Sequence, residues 1–400
     1  YEMGGQNWTE NLDKIFQEKK GYSLLEFLPL FTGKFVESAE TSEAVLWDFR
    51  DVVCDLMSEN YFGYFAELCR QDGIKSYIEP YGFGPLNDLD VGGKADINMG
   101  EFWMNRSMEM VGSAVSSSHI YGKKITSAES FTTQPGINWK GHPGMAKIWG
   151  DMAWALGVNE FMFHRFAHQA NTHVKPGMTM NRWGLHFDRT QTWWENAGPS
   201  WFTYIARGSH MLRQGVPVSD ILVFVGDGAP NSIIKRDEFD PAIPAGTNFD
   251  CVNADVLINR LEVKNSTMVL PEGTAYKILV LKNCETLSLS TLRRISEIAE
   301  SGVPVVGLKP QKPAGHLVQD KDRTMFRELV DKTWTRQKTH TDFDWNSILK
   351  EEGILPDLLI NGRQDINFAH RRLGESDIYF MYNPDSVARQ FDCLFRVSHK

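Results

Sequence analysis

Most of the features that would assign this chain quickly are scarce or missing. Only five cysteines occur among 400 residues (Cys54, Cys69, Cys251, Cys284 and Cys393), with no CxxC pair and no cysteine–histidine cluster. That spacing argues against a zinc or iron–sulfur site and offers no disulfide framework, so small buried hydrophobes are expected. No apolar run approaches the ~18 residues that span a bilayer, and membrane insertion is not expected. Basic charge is not in excess: 42 Lys and Arg stand against 51 Asp and Glu, a net charge of −9. Nucleic acid and anionic membrane surfaces need a basic footprint, so neither is expected as a partner. Neither GxGxxG nor GxxxxGK[ST] occurs, and Gly226-Asp227-Gly228 reads as a structural turn, not a nucleotide loop. Internal repeats and low-complexity stretches are absent too. The chain opens on Tyr1 instead of Met, so the lack of a leader segment carries no weight.

What is present is ordinary globular material, 42% hydrophobic and 23% charged, long enough for two or three domains with real cores. Aromatics are unevenly spread. Ten of the twelve Trp fall at or before Trp201, and seven of the eleven His lie between His119 and His210. Beyond about residue 215 the texture turns to aliphatic strands and amphipathic helices.

In the first part, short apolar strands alternate with helices. Gly21–Leu30 and Ser42–Arg70 carry apolar residues at helical spacing. Strands are expected at Ile74–Ile78, Asp96–Glu101, Lys124–Ala128 and Asn159–Phe163, with helices at Met104–Tyr121 and around Met145–Leu156. Each strand is followed within a few residues by an acidic or imidazole group: Glu79, Glu101, Glu129 and His164. Tyr1-Glu2 looks like a fifth such end. A parallel (β/α)8 barrel gathers its active site from the carboxyl ends of several strands. We therefore expect residues 1–213 to form the later part of such a barrel, with its early strands before residue 1; an open parallel sheet is the competing arrangement. Strands at Val218–Val225, Phe249–Asn253, Ile278–Leu281 and Val303–Val306 alternate with helices at Ala254–Leu261 and Ser288–Ser301, the latter capped by Gly302. This predicts a small doubly wound α/β domain over 214–345. Residues 346–400 read as a linker and the first antiparallel strands of a β-sandwich, from the alternation in Asp377–Tyr382 and Asp392–Val397.

Carboxylates at several strand ends among Trp and His suggest glycoside hydrolysis. That reaction needs a proton donor for the leaving oxygen and a second carboxylate that activates water or attacks carbon. Any single Glu could be a salt-bridged rim residue, but several successive like charges are costly unless used. Flat indole faces suit sugar C–H groups, and imidazoles fix hydroxyls; His164, His168, Trp103, Trp183 and Asp188 are the candidate substrate contacts. His164 and His168 are four apart, but His164-Arg-Phe-Ala-His168 lacks the Glu of HExxH and follows a strand, so zinc is not expected. The loop Asn87-Asp88-Leu89-Asp90 could give oxygen ligands to calcium, though a solvated turn needs no such role.

Seven segments together resemble glycoside hydrolase family 106, the α-L-rhamnosidases. They are Glu2-Met-Gly-Gly-Gln-Asn-Trp, Glu79-Pro-Tyr-Gly, Gly100-Glu101-Phe-Trp, Ser127-Ala-Glu129-Ser-Phe-Thr, Phe163-His-Arg-Phe-Ala-His-Gln, Pro176-Gly-Met-Thr and His186-Phe-Asp188-Arg-Thr-Gln-Thr-Trp-Trp-Glu195. The resemblance runs along nearly the whole chain, including an amidotransferase-like domain near 215–330 and His370-Arg-Arg before a β-sandwich. It implies an exported bacterial, inverting, calcium-dependent exo-hydrolase of terminal α-L-rhamnose, in proteins roughly twice this length. Glu2 matches the family's general acid, while the Asp and Ser that precede that acid are not in this chain. Glu129 and Glu101 both match family carboxylates. Counting Glu2 as the fourth strand end makes Glu129 the seventh, across the pocket, so Glu129 is the expected base and Glu101 a base or calcium ligand. The other implied calcium ligands are Glu79 and Asp88. A β-galactosidase of similar layout and a non-catalytic sugar-binding relative are the alternatives. The amidotransferase-like domain is expected to be structural, because no Cys-His-Glu constellation is recognisable in it.

Overall fold

The computed structural model describes residues 8–82, 84–104, 108, 110–133, 137, 139–179, 185–282, 284–360, 366–385 and 387–397. Glu2 and Trp183 lie outside the described residues. A helical layer comes first: α1 (Leu12–Lys20), α2 (Ala39–Leu56) and α3 (Tyr64–Gln71). Ser38 caps α2, its hydroxyl accepting from the Thr41 amide at 3.0 Å. Leu12, Phe16, Leu24, Phe27, Val45, Phe49 and Val52 form this layer's own core. Two details depart from the sequence pattern. The apolar segment after Gly21 is a 3-10 helix over Leu24–Thr32, tightened around Pro29, which lacks the amide an α-helix needs. The long helix expected over Ser42–Arg70 is broken into α2 and α3 by a π-helical turn at Met57–Gly63.

The next unit alternates strand and helix: β1 (Tyr77–Ile78), α4 (Asp88–Lys94), β2 (Ile97–Trp103), α5 (Val111–Ile120), β3 (Thr126–Thr132), α6 (Pro143–Leu156), β4 (Glu160–Phe163) and α7 (Gly198–Leu212). The four strands pair in sequence order, all parallel. Polar clamps fix their amino ends. Asp96, just before β2, accepts from the Ser76 amide at 2.9 Å and from Arg70 Nε at 2.9 Å. Asn159, before β4, accepts from the Thr126 amide and donates to the Lys124 carbonyl, both at 2.9 Å. Gly100 is required in β2, because a Cβ there would stand 2.9 Å from the Met110 carbonyl oxygen and from Val111 Cα at the start of α5. Phe102, Phe131, Trp154, Phe161 and Trp201 share one core with Val111 and Val115 of α5.

Register carries the chemistry. Glu101 pairs with Glu129, and Glu129 with Met162, so the two glutamates sit side by side on adjacent strands. Beyond them Trp103 pairs with Thr132, leaving one extra residue in β3, where fully buried Phe131 adopts φ 67°. A bulge with a bulky residue in the left-handed region is strained and belongs to strand ends that re-aim side chains.

A second parallel sheet follows, of five strands in the order Thr339–His340, Val305–Val306, Ile278–Leu281, Ile221–Phe224, Phe249–Val252. Ile221–Phe224 and Ile278–Leu281 are buried along their whole length, as strands covered on both faces must be. Each such side chain contributes about 1.5–3 kcal/mol when fully buried. The helix Leu289–Glu300 is capped by Ser301, one residue before the expected Gly302, which follows in the left-handed region at φ 83°. Helix Asp320–Trp334 carries little sequence signal: its first turn is acidic and it buries only Phe326, Val330, Thr333 and Trp334. Near the end of the chain Phe368–Leu373 and Ser376–Met381 form an antiparallel hairpin, Phe368–Leu373 also pairing with Val216–Pro217, and Cys393–Phe395 pairs antiparallel with Leu358–Ile360.

Candidate active site

Four strand ends furnish one corner of the first sheet. Glu79 follows β1, Glu101 lies in β2, Glu129 in β3, and His164 follows β4. Glu101 is buried and is held by two donors: the Tyr81 hydroxyl gives a hydrogen bond to Oε2 at 3.1 Å, and the Trp103 indole N–H binds Oε1. Glu129 is less buried, and its Oε1 accepts from Thr132 Oγ1 at 2.7 Å, a contact that the bulge brings into reach. His164 Nδ1 stands 3.9 Å from the same oxygen and has no hydrogen-bond partner among the described residues. The backbone after β4 is held by a further segment, with Arg165 N bound to the Leu185 carbonyl at 2.7 Å and Leu185 N to the His164 carbonyl at 2.9 Å.

The electrostatics follow from crowding. Burial, helped by the charges of Glu129 and Glu101, pushes the Glu79 carboxyl up to about 7. Its Oε1 finds no donor among the described residues. Burial beside two carboxylates also raises Tyr81 well above the ordinary phenol range, so it remains a donor at any working pH. His164 is shifted downward by burial and by Arg165, against the pull of Glu101, which leaves a neutral imidazole suited to hydroxyl groups. Nearby, Trp139 stacks on His186 with ring centroids 5.1 Å apart.

The structure therefore brings together Glu79, Glu101, Glu129, Trp103 and His164. It does not bring Asp88 or Asp188 to them. Asp88 opens α4, capped by Asn87, and its Oδ2 accepts from Ser113 at 2.8 Å and from Ser232 at 2.9 Å. It is a buried tie between the two parallel sheets' units, so its assignment as a calcium ligand beside Glu79 and Glu101 is corrected. Asp188 is 1% exposed and accepts from Gln169 Nε2, the Thr190 amide and the Thr190 hydroxyl. These bonds tie the loop from Gln169 to Thr190. His168 is exposed. Tyr81, Thr132 and His186 were missed as individual residues; Tyr81 stood in the Glu79-Pro-Tyr-Gly segment, but its role depends on Glu101, 20 positions away. A hard cation would suit the Glu79 and Glu101 oxygens, one of them orphaned. Yet among the described residues no group of three His, Cys, Asp or Glu side chains is placed to hold a metal.

Comparison with known proteins puts this chain among the glycoside hydrolases. The model of glycoside hydrolase family 106, alpha-L-rhamnosidase, matches residues 1–400, and the chain belongs to that family. A curated relative from Formosa agariphila, named "Putative beta-glucuronidase", is 36% identical over 411 residues, which cover 100% of this chain and 34% of the relative. The structure of a rhamnosidase from Novosphingobium sp. PP1Y superposes with a TM-score of 0.85 and 28% identity, covering 95% of this chain and 38% of that one. The chain thus spans little more than a third of the length of either. A catalytic mutant of a family 42 β-galactosidase from G. stearothermophilus shares the fold at a TM-score of 0.56 and 11% identity, over 96% of this chain and 72% of that one. No described helix is long and apolar enough to cross a membrane.

Proposed function

We propose that β1–β4 are the last four strands of a (β/α)8 barrel and that the full-length protein removes terminal α-L-rhamnose from glycans or glycosides with inversion. The observation that carries this reading is the convergence of three carboxylates from adjacent strand ends, where burial and the neighbouring charges lift Glu79 to about 7. Glu101 and Glu129 are strand neighbours, about 4.8 Å apart in the backbone. The resemblance to the family's general acid supports Glu2, on another element, as the proton donor. Glu101, locked by Tyr81 and Trp103, stays an acceptor facing the positive charge that develops on the ring. Glu129, more open, takes a proton from water as the water oxygen bonds to the anomeric carbon. The glycosidic C–O bond breaks as Glu2 protonates the departing oxygen. His164 and Trp103 orient hydroxyls and the apolar sugar face.

Calcium is part of the proposal. Glu79 and Glu101 would supply two oxygens, the remainder coming from other residues or from sugar hydroxyls; its chemistry there would be to hold vicinal hydroxyls and offset carboxylate repulsion. Residues 1–213 as barrel, 214–345 as a structural amidotransferase-like domain and 346–400 as the entry to a β-sandwich complete the layout, and export from a bacterial cell is proposed on family likeness. The test is sugar release by the full-length protein from p-nitrophenyl α-L-rhamnoside, β-D-galactoside and β-D-glucuronide, with and without a chelator. Hydrolysis of the rhamnoside, lost on chelation and restored by calcium, is expected. Preference for either other glycoside overturns the substrate, and activity indifferent to exhaustive chelation overturns the calcium.

A further inference from the structure

Side-chain alternation along β3 breaks at one place, and that break decides what stands beside the open carboxylate. In a regular strand, residues two apart share a face and residues three apart oppose each other. Glu129 and Thr132 are three apart, so regular pleating would set them on opposite faces. The pairing with β2 shows otherwise. Glu101 pairs with Glu129 and Trp103 with Thr132, two steps along β2 against three along β3. The extra residue turns Thr132 round to the face that carries Glu101, Trp103 and Glu129. Phe131 goes to the other face, where it joins the core with its ring centroid 5.1 Å from that of Phe102, the residue between Glu101 and Trp103. Without the bulge, Phe131 would lie beside Glu129 and the Thr132 hydroxyl would face the core. The left-handed φ of 67° at Phe131 accompanies this exchange of faces.

The exchange has a chemical result. Glu129 is the one residue of β3 that is not buried, its side chain 30% exposed. Thr132 is buried and donates its hydroxyl to Oε1 at 2.7 Å. An ionised carboxylate only accepts, so the hydroxyl proton of Thr132 must point at that oxygen. His164 Nδ1 stands nearest the same Oε1, at 3.9 Å. Oε2 accepts no hydrogen bond from the described residues and is not among the polar atoms shut off from solvent. Glu101, on the neighbouring strand, differs: Tyr81 and Trp103 supply a donor to each of its oxygens. In Glu129 the fold occupies one oxygen and presents the other.

We infer that Thr132 is a positioning residue for the proposed hydrolysis: its hydroxyl, brought round by the bulge at Phe131, holds the Glu129 carboxylate by Oε1 so that Oε2 is the atom that takes the proton from water. This rests on the reading of Glu129 as the base. In that step a water O–H bond breaks and its proton passes to Oε2. The water oxygen bonds to the anomeric carbon as the glycosidic C–O bond breaks and Glu2 protonates the departing oxygen. Thr132 touches neither water nor sugar and acts through Glu129 alone.

A double-mutant cycle in the full-length protein tests this, on the p-nitrophenyl glycoside that it hydrolyses. Thr132→Val, which replaces only the hydroxyl, should lower kcat about ten-fold with KM unchanged, within the ~10²-fold that a 1 Å misplacement can cost. Thr132→Ala removes the same hydroxyl without adding a methyl and should match it, while Thr132→Ser keeps the donor and should recover most of the rate. In a Glu129→Gln background, Thr132→Val should change the residual kcat by no more than about two-fold, because no base is left to position. The inference is overturned if Thr132→Val and Thr132→Ala keep the parent kcat, or if Thr132→Ser is as slow as they are. It is also overturned if Thr132→Val costs the same factor with and without Glu129, as a packing defect or a direct sugar contact would. Undiminished activity of Glu129→Gln alone would remove the base assignment and this inference with it, whereas a silent Thr132 beside an essential Glu129 removes this inference only.

Discussion

Both parallel sheets of this chain set an acidic residue at the end of a central strand, but the neighbours treat it differently. In the second sheet Asp227 follows Ile221–Phe224 and receives the Ser288 amide at 2.6 Å and the Thr291 hydroxyl at 2.8 Å, tying down the start of the helix Leu289–Glu300. Burial raises its pKa, yet each oxygen has a donor from the fold itself. In the first sheet Glu79, Glu101 and Glu129 crowd one another, and Glu79 Oε1 and His164 Nδ1 are buried without a partner among the described residues. An acid at the carboxyl end of a parallel strand is thus not a site by position alone. The difference is whether the polypeptide finishes the hydrogen bonding or leaves it to something else.

The sharpest way to break this contrast is substitution at both ends. In the full-length protein Glu129→Gln should cut kcat by about 10²–10⁴, the usual worth of a general base, on poor and activated aryl glycosides alike. Glu2→Gln should lose a comparable factor on glycosides with poor leaving groups and far less on activated aryl glycosides, which need little proton donation; equal losses on both would remove it as the acid. Asp227→Ala should leave kcat and KM unchanged while costing about 1–3 kcal/mol in denaturant unfolding, because donors lose a buried acceptor. A large kinetic effect there would erase the distinction between the two sheets.

Stability against pH sharpens it further. Glu79 titrates near 7 when folded against an ordinary value of 4.5, so between these values the folded state binds more protons than the unfolded. Its contribution is therefore fully present below about 4.5 and is lost as pH rises towards 7, for a total of up to about 3 kcal/mol. With a chelator present, Glu79→Gln should melt higher than the parent at pH 8 and about equally at pH 5; equal melting at both would show that the crowding is relieved. The smallest effect is expected at the thiols. Cys251 and Cys284 are buried and their pKa values are pushed up to about 12 by burial, so neither is a nucleophile. Converting both to Ser should leave glycosidase kinetics intact, and a large loss with the fold preserved would give the second unit a role in catalysis.

Much of this was legible in the sequence where the cause is local. Short apolar runs followed by Glu or His marked β1–β4 and their ends, and Gly302 marked a helix stop. What stayed hidden depends on distant partners. Asp88 looked like a loop ligand because Ser232, 144 positions on, completes its bonding. The bond that Asp188 accepts from Gln169, 19 positions before it, is equally invisible in the sequence. Helical periodicity continued through Leu24–Thr32 and Met57–Gly63, where Pro29 and a π-turn change the geometry without changing the apolar spacing.

The central claim is that water reaches the anomeric carbon under Glu129, from the face opposite the leaving group. Glu129→Ala in the full-length protein opens that position to a small anion. With sodium azide and an activated aryl α-L-rhamnoside, the account predicts recovered turnover and a β-configured rhamnosyl azide by proton NMR. Undiminished activity without azide, or an azide product of retained α-configuration, would contradict it.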